Sequence, residues 1–348
     1  MHRSGWAARG HQPRIAIIGA GMSGIAAAVK LEQAGYSDIT LFEKADRVGG
    51  TWRENSYPGL SCDIPSRWYC FSFALKADWS HRYSYGPDIQ AYFESVARDF
   101  GVLEKTRFNA AVTELRYDFP QWRLRTDTGA EELFDVVVSA TGILHKPAYP
   151  AIDGLETFAG ASFHSARWDH SVDLQGKRVG VIGTGSTASQ IVGAVTAQAG
   201  EMRVFQRTPQ WMSPLPQKAY SGRWNRLLAR FPVLQRLAYH YYFQLLLRTF
   251  SAGTVGNRLM QRWISWLCRR HLERSVTDEA LRRKLTPDYQ AACKRLIFCS
   301  DFYPAISRAN AHLITEHISG IEPGGVRTAD GELHELDVLV LATGFDPT

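Results

Sequence analysis

The sequence predicts an α/β chain made of two Rossmann-like dinucleotide-binding domains, the second interrupted by a helical insertion. Three observations point there. An apolar run, a glycine-spaced loop and a helical stretch follow one another at residues 14–33 and again from residue 178, which is how a doubly wound fold with buried parallel strands begins. Two near-copies, FDVVVSATG at 134–142 and LDVLVLATG at 336–344, close the two units. Between residues 219 and 286 the strand–helix alternation stops and long helical periodicity replaces it.

In order, residues 14–18 (RIAII) read as a strand, 19–24 as a loop, 25–33 as a helix and 38–42 (DITLF) as the next strand. Segments 112–117 and 121–126 alternate in polarity across Asp118-Phe119-Pro120 and read as an antiparallel hairpin. The opening grammar restarts at 178–182 (RVGVI), with a helix to about residue 198 and a strand at 202–206. The expected domains are 14–145, incomplete, then 146–218 together with 287–344, with 219–286 inserted. Residues 1–13 read as a basic tail and 345–348 as the start of a return to the first domain.

With 348 residues, 45% of them hydrophobic, the chain can bury the cores of two domains. The five cysteines, at 62, 70, 268, 293 and 299, form no CxxC pair and no metal-ligand cluster. Reduced thiols in the cytoplasm are expected, with no metal, and disulfide-reductase chemistry is disfavoured. The N-terminus lacks the apolar core of a signal peptide, and the greasiest stretch, 237–247, is broken by His240 and Gln244. The formal charge of +6 is local: residues 219–272 hold nine arginines and no Asp, Glu or Lys, leaving the rest of the chain net negative. Two readings of that segment stay open, a solvated helical subdomain or a peripheral membrane contact. No nucleic-acid module accompanies the charge, and no nucleic-acid partner is expected.

Gly19, Gly21 and Gly24 give the GxGxxG spacing between strand and helix. Such glycines allow a tight turn and close approach of a pyrophosphate to free N–H groups at the helix start. Glu43 ends the second strand, where a carboxylate would accept ribose hydroxyls. The second loop, Gly183-Thr184-Gly185-Ser186-Thr187-Ala188, is a GxGxxA variant. Its following strand ends in Gln206, Arg207 and Thr208 instead of an acid. A guanidinium there would bind a 2′-phosphate that a carboxylate would repel, so NADPH is favoured over NADH.

Three further segments carry a resemblance. Phe158, Gly160, His164, Trp168 and Asp169 fill every fixed position of FxGxxxHxxxW(P/D). Gly50, Trp52, Tyr57, Pro58, Gly59 and Asp63 fill those of (A/G)GxWxxxx(F/Y)P(G/M)xxxD, and Lys294-Arg295 follows the helical insertion. Together they resemble the Baeyer–Villiger monooxygenases, class B flavoproteins that use NADPH and O2 to convert a ketone to an ester or lactone through a C4a-peroxyflavin. The resemblance implies FAD on the first loop, NADPH on the second, and a small ketone or other soft substrate. It also implies that Gly50, Thr51, Trp52 and Tyr57 lie along the flavin and that Lys294 helps hold the 2′-phosphate. Arg295 would be the catalytic guanidinium beside the flavin, with Asp63 orienting it and balancing its charge. His164 and Trp168 would couple NADPH binding to flavin-domain geometry.

Here the chain departs from the family. Many members read PxGxKR, whereas this sequence has Gln290-Ala291-Ala292-Cys293 before Lys294, so a different backbone path into Arg295 is expected. Family members also continue past the second Ala-Thr-Gly-Phe-Asp, so the chain reads as shortened at its C-terminus. Two alternatives stay open, an N- or S-oxygenating flavin monooxygenase and a truncated, non-catalytic nucleotide-binding protein.

Overall fold

The computed structural model describes residues 12–346, so most of the expected basic tail and residues 347–348 lie outside the described residues. The chain forms two compact units, one containing the chain up to Glu54 with Pro87–His145, the other Asn55–Gly86 with Lys146–Asp346.

The first unit is built on a parallel sheet in the order Thr106–Arg107, Ile39–Phe42, Ile15–Ile18, Val136–Ser139. Ala16, Ile17 and Leu41 are fully buried, as apolar strands covered on both faces require. Helix Met22–Gln33 follows the first strand and starts three residues earlier than its periodicity suggested, because Gly21 is its N-cap. The expected hairpin forms as Val112–Asp118 and Gln121–Thr126, and Glu131–Phe134 adds a third antiparallel strand. Leu124 and Thr126 point inward while Arg123 and Arg125 face water, which is the period-two pattern read as a half-buried strand.

The second unit has a five-stranded parallel sheet in the order Ala311–Ile314, Glu201–Phe205, Arg178–Ile182, Val338–Leu341, Ala161–His164. Both near-copies of the Ala-Thr-Gly segment do the same job: Val136–Ser139 pairs with Ile15–Ile18, and Val338–Leu341 pairs with Arg178–Ile182. A separate antiparallel sheet follows, Ile318–Glu322, Gly325–Thr328 and Leu333–Glu335.

The insertion is helical, as expected, and three of its helices begin at polar caps. The Ser221 hydroxyl accepts from Trp224 N ahead of Gly222–Arg230, Asn257 accepts from Leu259 and Met260 N ahead of Arg258–Ser275, and Asp278 caps Glu279–Leu285. Helix Arg258–Ser275 buries Ile264, Cys268 and Leu272, spaced four apart, against the core of the second unit.

Residues 55–86, expected in the first domain, belong to the second unit. Side chains and turns hold them there: Tyr57 Oη donates to Gln190 Oε1 at 3.0 Å, Gln190 Nε2 to Ser61 O at 2.9 Å, and Asn225 Nδ2 to Trp79 O at 2.9 Å. Gly59 has φ +82°, and a Cβ there would lie 2.6 Å from Gln190 O, so only glycine allows this approach.

Candidate functional site

The first glycine loop is shaped by its own backbone. Gly19 has φ +101°, and a Cβ on it would lie 2.5 Å from Ala140 O, within the first Ala-Thr-Gly turn; one on Gly24 would lie 1.9 Å from Gly19 O. Helix Met22–Gln33 has no side-chain cap and no acid in its first turn. Its first N–H groups and the positive end of its dipole therefore remain available to an anion, which fits a pyrophosphate. A second glycine turn backs onto the first. Gly49 N donates to Ala20 O at 3.0 Å, and Gly50, with φ +56°, approaches Gly21 so closely that a Cβ would lie 3.0 Å from its Cα. Thr51 and Trp52, both half-buried, follow in the short helix Thr51–Glu54.

Glu43 is 4% exposed and already well occupied. Its carboxylate accepts from Ala20 N at 2.8 Å, Ala45 N at 3.1 Å and Arg53 Nη1 at 2.9 Å. A carboxylate has about four lone-pair sites; three of them tie the loop to the strand here, which leaves room for one further donor such as a ribose hydroxyl. Arg53, which also pairs with Glu54 at 2.6 Å, carries no sequence signal because it occupies a variable position of the GxW pattern.

The second loop repeats the design. Gly183 has φ +122°, and a Cβ there would lie 2.5 Å from Ala342 O, within the second Ala-Thr-Gly turn. Helix Ser186–Val195 starts from Gly185 with no side-chain cap and no acid, and carries Ser186 and Thr187 in its first turn. Gly185 differs from the other glycines of the two loops: its φ is −73° and a Cβ there would meet no atom within 4 Å, so the protein itself leaves room for a side chain at this position. Thr184 Oγ1 donates to Thr208 O at 3.0 Å, joining the loop to the end of strand Glu201–Phe205. There Gln206 is buried and donates to Lys284 O at 2.8 Å, while Arg207 is exposed and has no ion-pair partner among the described residues. Lys294 Nζ sits 4.2 Å above the Tyr289 ring, and the Tyr289 hydroxyl lies 3.2 Å from Pro209 O and 2.9 Å from Gln210 Oε1. Tyr289, which no motif marked, thus brings Lys294 to the segment that follows Arg207 and Thr208.

The stretch from Phe158 to Asp169 is a clip on the second Ala-Thr-Gly turn. A Cβ on Gly160 would lie 2.4 Å from Asp337 O and 2.8 Å from the buried Phe158 ring. Strand Ala161–His164 then pairs with Val338–Leu341 in register, Leu341 opposite His164. His164, fully buried, lies with Nε2 2.9 Å from Gly344 O, and its Nδ1 accepts from Ala166 N at 3.1 Å. Those contacts define a neutral ring that donates from Nε2. Trp168 stacks edge-on against Phe163 with centroids 4.9 Å apart, and Asp169 turns back on the Ser171 amide and hydroxyl. Burial lowers the His164 pKa below its ordinary value, with Arg167 acting in the same direction and the Gly344 contact opposing. The unfolded chain therefore binds this proton more readily, so His164 contributes stability above about pH 6.5 that is lost as pH falls. His164→Gln, which retains a donor toward Gly344, is expected to flatten the fall in melting temperature between neutral pH and about pH 5.5; an unchanged slope would remove His164 as its source.

A flavin-binding monooxygenase-like family model matches residues 12–347. The chain belongs to the flavin-binding monooxygenase-like family. Within that family it is 48% identical over 337 residues to an uncharacterized monooxygenase of Mycobacterium tuberculosis, covering 97% of this chain and 68% of that protein. It is 40% identical to a Baeyer–Villiger monooxygenase of Pseudomonas aeruginosa, covering 95% of this chain and 63% of that protein. The NADP+-bound cyclohexanone monooxygenase of Rhodococcus sp. Phi1 superposes with a TM-score of 0.83 at 30% identity, over 96% of this chain and 71% of that one. The chain thus spans about two thirds of the length of these curated relatives.

Against the pattern carried by this monooxygenase family, the structure does not form the expected Asp63–Arg295 pair. Arg295 is exposed and Asp63 half-buried, and neither ion-pairs with any described residue. Asp63 lies instead where its charge opposes ionisation of Tyr57 and Cys62. Tyr57, expected along the flavin, packs in the core of the second unit, and burial pushes its pKa up to about 12. The segment entering Lys294-Arg295 lacks the family's proline and glycine. Ala292, at the position of the family's glycine, adopts φ +70°, the left-handed conformation that glycine favours. Non-glycine residues pay about 1–2 kcal/mol there, so Ala292→Gly is expected to stabilise the fold by about 1 kcal/mol in denaturant melts. No gain would show that the turn is not held in this conformation.

Proposed function

We propose that the chain carries the two nucleotide sites of a Baeyer–Villiger monooxygenase, FAD at Gly19–Gly24 and NADPH at Gly183–Thr187. The net reaction is ketone plus O2, NADPH and H+ giving ester or lactone, NADP+ and water. The observation that carries this reading is the complete Phe158–Asp169 clip, Trp168 included, built onto the Gly344 turn through His164. When bound and reduced by NADPH, the flavin supplies the oxygen-activating chemistry. The chain's residues do the rest: uncapped helix starts hold the two pyrophosphates, and Arg207 with Lys294 selects the 2′-phosphate. Arg295 is the guanidinium that meets negative charge developing on oxygen as a carbonyl is attacked. Asp63 acts as its counter-charge once the site is assembled. Five free thiols, four of them buried, suit a reducing, cytoplasm-like compartment.

A second reading, an N- or S-oxygenase, draws on the unpaired Arg295, since oxygen transfer to a soft nucleophile needs no oxyanion partner. Incubating the purified protein with NADPH, air, a cyclic ketone and a thioether separates the two. Lactone formation supports the proposal, sulfoxide alone supports the second reading, and NADPH left unconsumed would leave a nucleotide-binding protein without this chemistry.

A further inference from the structure

We propose that the arginine-bearing face of the helical insertion, residues 219–272, docks on an anionic lipid surface. This surface lies within the second unit and is independent of the oxygenation chemistry.

All nine arginines of the segment are exposed, and none has a carboxylate partner among the described residues. An ordinary solvated helix mixes both signs of charge so that neighbours three or four apart pair. Here 54 consecutive positions contain no acid at all. The apolar side chains beside those cations are exposed as well. On helix Gly222–Arg230, Arg223, Arg226 and Arg230 form one stripe, and Trp224, Leu227 and Phe231 form the adjacent one at the same spacing. Helix Pro232–Leu246 has no buried residue, although most of it is apolar. Its Val233, Leu237 and Tyr241, spaced four apart, are 66%, 59% and 62% exposed. Leu259 and Trp266 on helix Arg258–Ser275 are exposed as well, at 69% and 54%. Scattered surface hydrophobics need no explanation, but rows of them along helices mark an interaction surface.

Charge complementarity selects the occupant. A second copy would set one unpaired arginine array against another, a juxtaposition that is costly across an interface. A nucleic acid would satisfy the guanidiniums and leave the aliphatic rows in water. An anionic bilayer meets both, headgroups taking the arginines and the acyl boundary taking Trp224, Leu237 and Tyr241. The contact is peripheral, because among the described residues no helix is long and apolar enough to cross a membrane.

The test is sedimentation of the full 348-residue chain with vesicles of phosphatidylcholine, with and without phosphatidylglycerol. Binding to the mixed vesicles is expected to exceed binding to the neutral ones by at least about tenfold and to fall steeply with salt. The triple change Arg223→Gln, Arg226→Gln, Arg230→Gln is expected to weaken it about a hundredfold, since each cation near an anionic surface contributes about a factor of five. Leu237→Ser with Tyr241→Ser should weaken it independently and reduce the blue shift of tryptophan emission. All five positions are exposed, and unchanged melting temperatures verify that the variants fold. Equal binding to both vesicles, or binding to neither, would overturn the proposal. So would tighter capture by an RNA or DNA oligonucleotide that ignores the Leu237 and Tyr241 changes, or a dimer in sedimentation velocity that those changes dissolve.

Discussion

Arg295→Ala is expected to lower ester formation by about a hundred- to thousandfold while NADPH consumption continues, with O2 leaving as hydrogen peroxide. The magnitude is that of removing one group that would stabilise a developing oxyanion. Arg295→Lys should restore only part of the loss, because an ammonium supplies a point charge without the planar fork of the guanidinium. Measuring product and NADPH oxidation in the same reaction checks this. If both fall in proportion, Arg295 acts in reduction or folding and the assigned role is wrong. Asp63→Asn should follow the same direction more weakly, since in this structure Asp63 makes no ion pair with Arg295.

The second large effect separates glycines that the protein needs from glycines that a ligand needs. In Gly24→Val the new Cβ would stand 1.9 Å from Gly19 O, so the helix start must move away from the first strand. A loss of about 3 kcal/mol in stability, together with loss of flavin, is expected. Gly185→Ala meets no protein atom within 4 Å and has φ −73°, so the fold should tolerate it with a melting temperature close to that of the parent. Its Cβ would instead stand at the start of helix Ser186–Val195, where the proposed site would receive a pyrophosphate, and KM for NADPH should rise at least about tenfold. Calorimetry and steady-state kinetics on the two variants give the comparison. A destabilised Gly185→Ala with unchanged KM would reverse the assignment.

The strand–loop–helix openings were legible because they rest on local signals: buried apolar runs, glycine spacing and helix periodicity all agree at residues 14–42 and 178–206. The hairpin was equally plain, since Leu124 and Thr126 alternate with Arg123 and Arg125. Segment 55–86 was not, because side-chain hydrogen bonds such as Tyr57 to Gln190 hold it, across more than a hundred residues of chain, with no periodicity to read. The same limit hid Arg53 under Glu43 and Tyr289 under Lys294, whose partners are distant or fall at variable motif positions. His164 was legible as a motif residue but not as a clip, because its partner is a backbone carbonyl 180 residues away. At Ala292 the residue type suggested a changed path, yet the tertiary setting imposes glycine-like backbone on an alanine.

The central claim is that one chain holds FAD on its first glycine loop and uses NADPH bound at its second to reduce it. The most direct measurement is the visible spectrum of the purified, FAD-supplied protein, followed anaerobically on addition of NADPH and then NADH, and on return to air. The account predicts a bound flavin band that NADPH bleaches far faster than NADH, that reappears with O2, and that persists unreduced by NADPH in Gly185→Ala at low nucleotide. Protein that retains no flavin, or flavin that NADPH and NADH reduce equally well, would contradict it.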